Sequence, residues 1–434
     1  MLLTFYQFIN ILLTPVIWVY LVYRKKNGKE DPLRFSERFG KAASPRPAGT
    51  LVWIHAASVG ESLSVLPLVQ KLCSAYSNAH ILFTTVTVSS AKMIESKLPD
   101  NAFHQFVPID NPLAVKRFLS HWQPDLALWV ESELWPSLIY QTSQDCPILL
   151  VNARMSDQSY RYWKYFKGFA SQILSRFTHV FGQSQHDTDR YRELGARQVT
   201  FTGNIKYDAP ALSADPKKMG ELVNTIGQRP VWLAASTHHD EETKIAEIHN
   251  HLKETHPDLL TIIVPRHPNR ADDIIKDIGP SMEVIKRSSE EEITSSTDIY
   301  LADTMGELGI FYRLAPIVFI GGTLIPHGGQ NPLEAARLDC AIIFGPYMDN
   351  FLEIKREFEQ HNAAIKVKSK SELAQVVEEL IVDHDKQEAL AQAATKLVEE
   401  KSGILDTLCE HVHPLIRKVE PTSDTNLQTQ ETST

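Results

Sequence analysis

Cysteine is scarce and nowhere clustered: Cys73, Cys146, Cys340 and Cys409 stand far apart in the chain. Such spacing excludes a disulfide framework and a cysteine-built zinc site, and it suits reduced thiols in a cytosolic compartment. A basic excess is lacking as well. The formal net charge is -9, which argues against general nucleic-acid binding, so no nucleic acid is expected as a partner. Hydrophobic residues make up 43% and charged residues 22% of the chain, the balance of a globular interior. At 434 residues the chain exceeds one ordinary core, and about two or three domains are expected.

Long uncharged apolar runs are missing except at the N-terminus. Residues 2–23 carry no charged side chain, and as one helix they would reach about 33 Å, against a bilayer core of about 30 Å. Arg24, Lys25, Lys26 and Lys29 follow at once, which puts the remainder on the cytoplasmic side. Bases placed after the apolar run, with no small-residue cleavage site, argue against a signal peptide. Thr4, Gln7, Asn10 and Thr14 form a polar stripe, and Pro15 should kink the helix. The segment therefore reads either as a spanning anchor or as a helix lying in the interface. The expected division is a membrane anchor over 1–23 and a basic juxtamembrane segment over 24–49.

From residue 50 onward short β-rich runs alternate with amphipathic stretches, the pattern of parallel sheets covered by helices. Strands are predicted at 51–54, 81–85, 126–130, 148–151, 179–181 and 199–201, and again at 231–235, 260–264, 283–285, 299–301, 317–320 and 341–344. The fold class is thus α/β, with two Rossmann-like domains over 50–205 and 230–402 facing a cleft, joined by a linker over 206–229. A terminal segment (403–420) and a Thr/Ser/Gln-rich disordered tail (421–434) complete the division. In doubly wound sheets ligands bind beyond the carboxyl ends of the strands, so the residues just after strands are the site candidates.

The richest of these stretches is Gly321-Gly322-Thr323-Leu324-Ile325-Pro326-His327-Gly328-Gly329-Gln330-Asn331-Pro332-Leu333-Glu334. Gly321, Gly322, Gly328 and Gly329 let the backbone approach a ligand, and a strand-to-helix turn aims free N–H groups and a helix dipole at an anion. The plain alternative is a glycine-rich turn without a ligand. In His55-Ala56-Ala57-Ser58-Val59-Gly60-Glu61-Ser62, Glu61 is the candidate general base, although Ser58 and Glu61 also have the spacing of a helix capping box. Glu131 and Glu133 follow the run at 126–130, and Glu131 is placed to hold a sugar hydroxyl or to support Glu61. Ser236 and Thr237, before the acids 240–242, read as a helix start able to receive a phosphate, whereas the adjacent His238 and His239 make a poor metal site without a third ligand. Asp187-Thr188-Asp189 resembles a metal-binding Asp-x-Asp but falls within an expected helix, as a solvated face. Arg266 and His267 follow the run at 260–264, where a guanidinium can meet a phosphate or carboxylate. Asn331 and Glu334 sit at the end of the glycine-rich stretch, Glu334 placed to accept hydrogen bonds from ribose hydroxyls. Finally, Arg154 and then Arg161, Trp163 and Lys164 interleave bases with aromatics, as suits either a lipid interface or an ordinary helix packed on the sheet.

Taken together and in this order, the segments at 55–62, 131–136, 152–156, 203–208, 236–242, 265–270 and 321–334 resemble the bacterial 3-deoxy-D-manno-octulosonic acid (Kdo) transferases. The resemblance implies a GT-B glycosyltransferase fold, CMP-Kdo as donor and the lipid A precursor (lipid IVA) as acceptor at the cytoplasmic face of the inner membrane. It further implies inversion at the anomeric carbon, no metal cofactor, Glu61 as the base, a donor-nucleotide role for the second domain and an acceptor role for the first. Other readings are a membrane-associated GT-B transferase using a UDP-sugar, and a catalytically silent nucleotide-sugar binding protein.

Overall fold

The computed structural model describes residues 2–417, and the tail expected at 421–434 lies outside them. The described residues form two compact units, one made of residues 2–209 and 402–417, the other of 210–401. Each carries a seven-stranded, wholly parallel sheet.

In the first unit the strands are β1 (Thr50–His55), β2 (Ala79–Thr85), β3 (Ala102–Phe106), β4 (Leu126–Val130), β5 (Ile148–Ala153), β6 (His179–Gly182) and β7 (Val199–Phe201), in the order β3-β2-β1-β4-β5-β6-β7. β1, β4 and β5 are buried along their whole length, as parallel strands covered on both faces must be. The second unit has β8 (Val231–Thr237), β9 (Leu260–Pro265), β10 (Val284–Lys286), β11 (Ile299–Leu301), β12 (Ile317–Ile320), β13 (Ala341–Phe344) and β14 (Ile365–Lys366), in the order β10-β11-β9-β8-β12-β13-β14. The two sheets solve one packing problem alike. Trp53 of β1 donates its indole N–H to Thr84 Oγ1 of β2 at 2.9 Å, and Trp232 of β8 donates to Thr261 Oγ1 of β9 at 2.7 Å. Each large apolar ring thereby fills its core with its one polar atom satisfied. The order in which successive strands are added reverses across each sheet between β1 and β4, and between β8 and β12, all strands staying parallel. At such a switch point neighbouring connections leave in opposite directions and open a crevice above the strand ends.

Several expectations are corrected. The kink expected at Pro15 is present, as a full break of the N-terminal segment into two helices, Leu2–Leu12 and Thr14–Lys26, bent by 59°. Among the described residues no single helix is long and apolar enough to cross a membrane. Pro15 explains the break, since its ring cannot donate to the preceding turn. Residues 24–49 are not a free basic stretch: Arg24 and Arg38 share the buried Glu30 at 2.7 and 2.8 Å, and Arg34 pairs with Glu37 at 2.8 Å. The acids in that segment turn these three arginines inward. The stretch 206–229 contains a helix, Pro216–Ile226, started by the Asp215 side chain with Pro216 in its first turn. Beyond 402 the helix Ile404–Arg417 packs in the first unit, where Asp208 accepts from Gly403 N at 2.7 Å and from Leu405 N.

Gly321 directly follows β12, where a Cβ would stand 2.4 Å from Ser236 O of β8. Gly321→Ala should therefore cost about 1–3 kcal/mol through overpacking. Urea unfolding with an unshifted midpoint would contradict this close approach.

Candidate active site

The first unit brings three carboxylates to its switch point. Ser58 caps the helix Val59–Ala75, and Glu61 closes back on the cap: Ala57 N donates to Oε2 at 2.8 Å and Ser58 Oγ to Oε1 at 2.9 Å. The capping-box geometry is thus real. It also pins a half-buried carboxylate beside Glu131 and Glu133, which follow β4. Burial lifts the Glu61 carboxyl to about 7, the negative charge of Glu131 and then of Glu133 adds to the rise, and the Ala57 and Ser58 bonds oppose it. Burial raises Glu133 too, against the indole N–H of Trp135, which it accepts. Glu131 holds a left-handed backbone, φ 59°, so that its carbonyl accepts from Arg154 N and Tyr191 OH while its carboxylate stands 4.0 Å from Lys206 Nζ. Lys206, within the stretch 203–208, is not among the expected site residues.

Beneath these groups lies His55, the last residue of β1. It is fully buried, its Nδ1 lies 3.0 Å from Thr84 Oγ1 and its Nε2 has no partner. Burial pulls its pKa down to about 4, so the ring is neutral at physiological pH. Trp129 and Trp135 wall it in at 5.6 and 6.0 Å between ring centres.

In the second unit the expected anion grip is rearranged. Gly322, Thr323 and Leu324 do aim their N–H groups at one carboxylate, but it belongs to the protein: Glu241, fully buried, accepts from them at 2.6, 3.1 and 3.0 Å and from His238 N at 3.1 Å. Burial raises this carboxyl and the four amides hold it down. Those amides are therefore not free for a ligand. Nor are Ser236 and Thr237 a helix start. They end β8 past a bulge, with Ser236 at φ 57° and the buried Thr237 hydroxyl bonded to Glu242, and the helix begins only at Glu241. The helix after the glycine-rich turn is four residues long, Leu333–Ala336, with Asn331 Oδ1 accepting from Leu333 N at 3.2 Å. Its dipole is correspondingly small.

What stands at this switch point instead is a group of cationic and imidazole side chains. His238 lies at 3.0 Å from the Gln330 amide, stacks on His327 at 3.6 Å and meets the His267 ring edge-on at 5.9 Å. Burial lowers His238 to about 4, and His327, His267, Arg266 and Arg270 all push the same way. Arg266 and His267 are exposed, and Arg266 carries enough charge toward the half-buried Glu334 to offset part of its burial-driven rise. Glu334 also accepts from Asn331 Nδ2 at 3.3 Å. Gly328 and Gly329, at φ 99° and 77°, turn the backbone so that Gly329 N reaches Gly322 O at 2.9 Å. His238, His327 and Arg270 were not selected from the sequence.

Arg154, Arg161, Trp163 and Lys164 lie on or beside the helix Asp157–Tyr165, none of whose residues is buried. Trp163 is half-buried against Phe169, Arg161 bonds the Asp157 carbonyl, Lys164 pairs with Glu193 at 2.9 Å and Arg154 is exposed. Asp187 is not on a solvated face: it is buried and accepts from Met155 N at 2.7 Å and Ser184 Oγ at 2.6 Å.

Residues 33–209 match the family model of 3-deoxy-D-manno-octulosonic-acid transferase (kdotransferase). The chain is 39% identical over 404 residues to a 3-deoxy-D-manno-octulosonic acid transferase of Rickettsia bellii, covering 92% of this chain and 96% of the relative. It is 34% identical over 426 residues to that of Haemophilus influenzae, covering 95% and 99%. In fold it resembles a UDP-GlcNAc 2-epimerase of Neisseria meningitidis bound to UDP-GlcNAc, with a TM-score of 0.55 at 13% identity over 83% of this chain and all of the other. The two α/β units are thus those of a GT-B fold. On a match of this extent, along nearly the whole chain and through both strand-end sites, the chain belongs to the 3-deoxy-D-manno-octulosonic acid transferase family of glycosyltransferases.

Proposed function

We propose that this Kdo transferase takes Kdo from CMP-Kdo and transfers it to a hydroxyl of the lipid A precursor, lipid IVA, with inversion and without a resident metal, at the cytoplasmic face of the inner membrane. The observation that carries the reading is the Glu61 carboxyl, held at the β1–β4 switch point with its pKa lifted to about 7. A base tuned near the working pH combines a useful fraction of the ionised form with proton affinity. In the reaction the acceptor oxygen bonds the anomeric carbon, its proton passes to Glu61, and the bond to phosphate breaks with the electron pair leaving on CMP. One displacement of this kind inverts the centre. Lys206 and Glu131 are suited to orient the acceptor, Glu131 also keeping Glu61 basic.

The donor carries a phosphodiester and a sugar carboxylate, and it needs positive potential where the leaving charge grows. Arg266, with Arg270, His267 and His327 nearby, supports that assignment. Asn331 and Glu334 are suited to the ribose hydroxyls. Glycines 321, 322, 328 and 329, with Ser236 and Thr237, act here by shaping the wall. Glu241, already holding the amides, keeps that wall in one conformation. For the cytoplasmic membrane face the support is the exposed apolar side of the N-terminal helices and the exposed aromatics Tyr162 and Tyr165 beside Lys164.

Four outcomes test this reading. Glu61→Gln should lower turnover by about 10²–10⁴-fold with CMP-Kdo affinity intact, and loss of donor binding would refute the base assignment. Because a base acts as the carboxylate, the wild-type rate should rise with pH through about 7 and then level. In Glu131→Gln, which removes a like charge, that rise should move to lower pH, and an unmoved pH–rate profile would separate Glu131 from Glu61. Arg266→Ala should raise the KM for CMP-Kdo about tenfold to a hundredfold, the value of a lost hydrogen bond to a charged group. An unchanged KM would remove Arg266 from the donor site.

A further inference from the structure

The N-terminal helices are turned with polar groups inward. Tyr6 OH donates to Asp110 Oδ2 at 2.8 Å, and the Asn111 amide donates to Asn10 O at 2.9 Å and to Thr14 Oγ1 at 2.8 Å. The Tyr6 ring rests 6.0 Å from Phe169. The outer side is apolar: Phe5, Phe8, Leu12, Val16, Trp18 and Val19 are each more than 50% exposed. A surface helix facing water shows the reverse arrangement.

Asp110 has a second task. The helix Pro136–Asp145 starts at Trp135, which offers no oxygen to cap it. The Asp110 carboxylate caps it from outside, accepting from Ser137 N at 3.1 Å and Leu138 N at 2.7 Å. Trp135 in turn donates to Glu133 in the loop that carries Glu131. Burial lifts the Asp110 carboxyl to about 6, while the Ser137 amide, the Tyr6 hydroxyl and the Leu138 amide hold it down. The same carboxylate therefore touches the N-terminal helix at one end and the acidic loop's helix at the other. Asn111 repeats the device, its Oδ1 capping the helix Pro112–Trp122 through Leu113 N at 3.0 Å.

We propose that Tyr6 and Asp110 form a clasp that fixes the apolar-outward N-terminal helices against the first unit, and so sets the loop bearing Glu131 and Glu133 at a defined position relative to a lipid surface. Both are positioning residues. The occupant of the outer face is lipid. Its apolar residues give way to Tyr20 and Tyr23 and then to Lys26 and Lys29, both exposed, the sequence of groups that crosses from acyl chains to anionic head groups. This inference rests on the membrane-acceptor reading above. It goes beyond that reading by making the helices part of the site's geometry instead of a tether.

The test uses the full chain with vesicles of phosphatidylethanolamine and phosphatidylglycerol. Tyr6→Phe keeps the ring on Phe169 and removes only the hydroxyl. Flotation with vesicles, the KM for CMP-Kdo and the rate on lipid A precursor dispersed in detergent should match the unsubstituted chain. The rate on precursor embedded in the vesicles should fall about tenfold, on the scale of one lost bond to a carboxylate. Equal rates on both acceptor forms, or an equal fall on both, would overturn the clasp. Normal flotation in that result would leave the lipid reading standing, whereas failure of the unsubstituted chain to float would overturn the lipid reading and the clasp together.

Discussion

Burial of one carboxylate beside two others at a sheet switch point is the constraint on which the rest depends. Glu61, Glu131 and Glu133 come from two strand ends that the β1–β4 reversal makes neighbours. Burial and mutual charge cannot all be tolerated with every group ionised, so a proton is retained near neutrality on the member best placed to keep it. The capping bonds from Ala57 and Ser58 fix that carboxyl in space. Helix capping and proton affinity are thus two consequences of one geometry.

The second unit uses a carboxylate in the opposite sense. Glu241 is surrounded by four amides, and its charge is absorbed by the backbone that it orders. A loop whose N–H groups would otherwise need water or a ligand becomes a fixed wall. Positive potential at that switch point then comes chiefly from the exposed Arg266, since Arg270 is paired with the buried Glu242 at 3.2 Å. The neutral His238 contributes shape and a hydrogen bond to Gln330, without a charge. A guanidinium keeps its charge at any physiological pH. The two sites accordingly differ in what pH can do to them.

Much of this was legible from periodicity, because strands buried on both faces are written as unbroken apolar runs. β3 escaped because Ala102–Phe106 includes His104 and Gln105 and lies at a sheet edge, half-buried along most of its length. β14 is only two residues long. The helix Pro216–Ile226 was read as linker because prolines mark breaks, although a proline is at home in a first helical turn. Site residues just after strands were found where the strand itself was found, as with Glu61, Glu131 and Arg266. Partnerships across long sequence distances were not. Nothing local in Glu241 announces amides some eighty residues later, and nothing in Tyr6 announces Asp110. The polar stripe of the N-terminal helices was visible in sequence, but its direction, toward protein and not water, is a tertiary fact.

The most direct measurement is an infrared difference titration of the unsubstituted chain against Glu61→Gln, following the protonated-carboxyl band. A band that belongs to Glu61 and disappears with a midpoint near pH 7 is the expected result. Ionisation of Glu61 complete by about pH 5, in the ordinary carboxylate range, would contradict the proposal that burial, with neighbouring negative charge, makes this side chain the base.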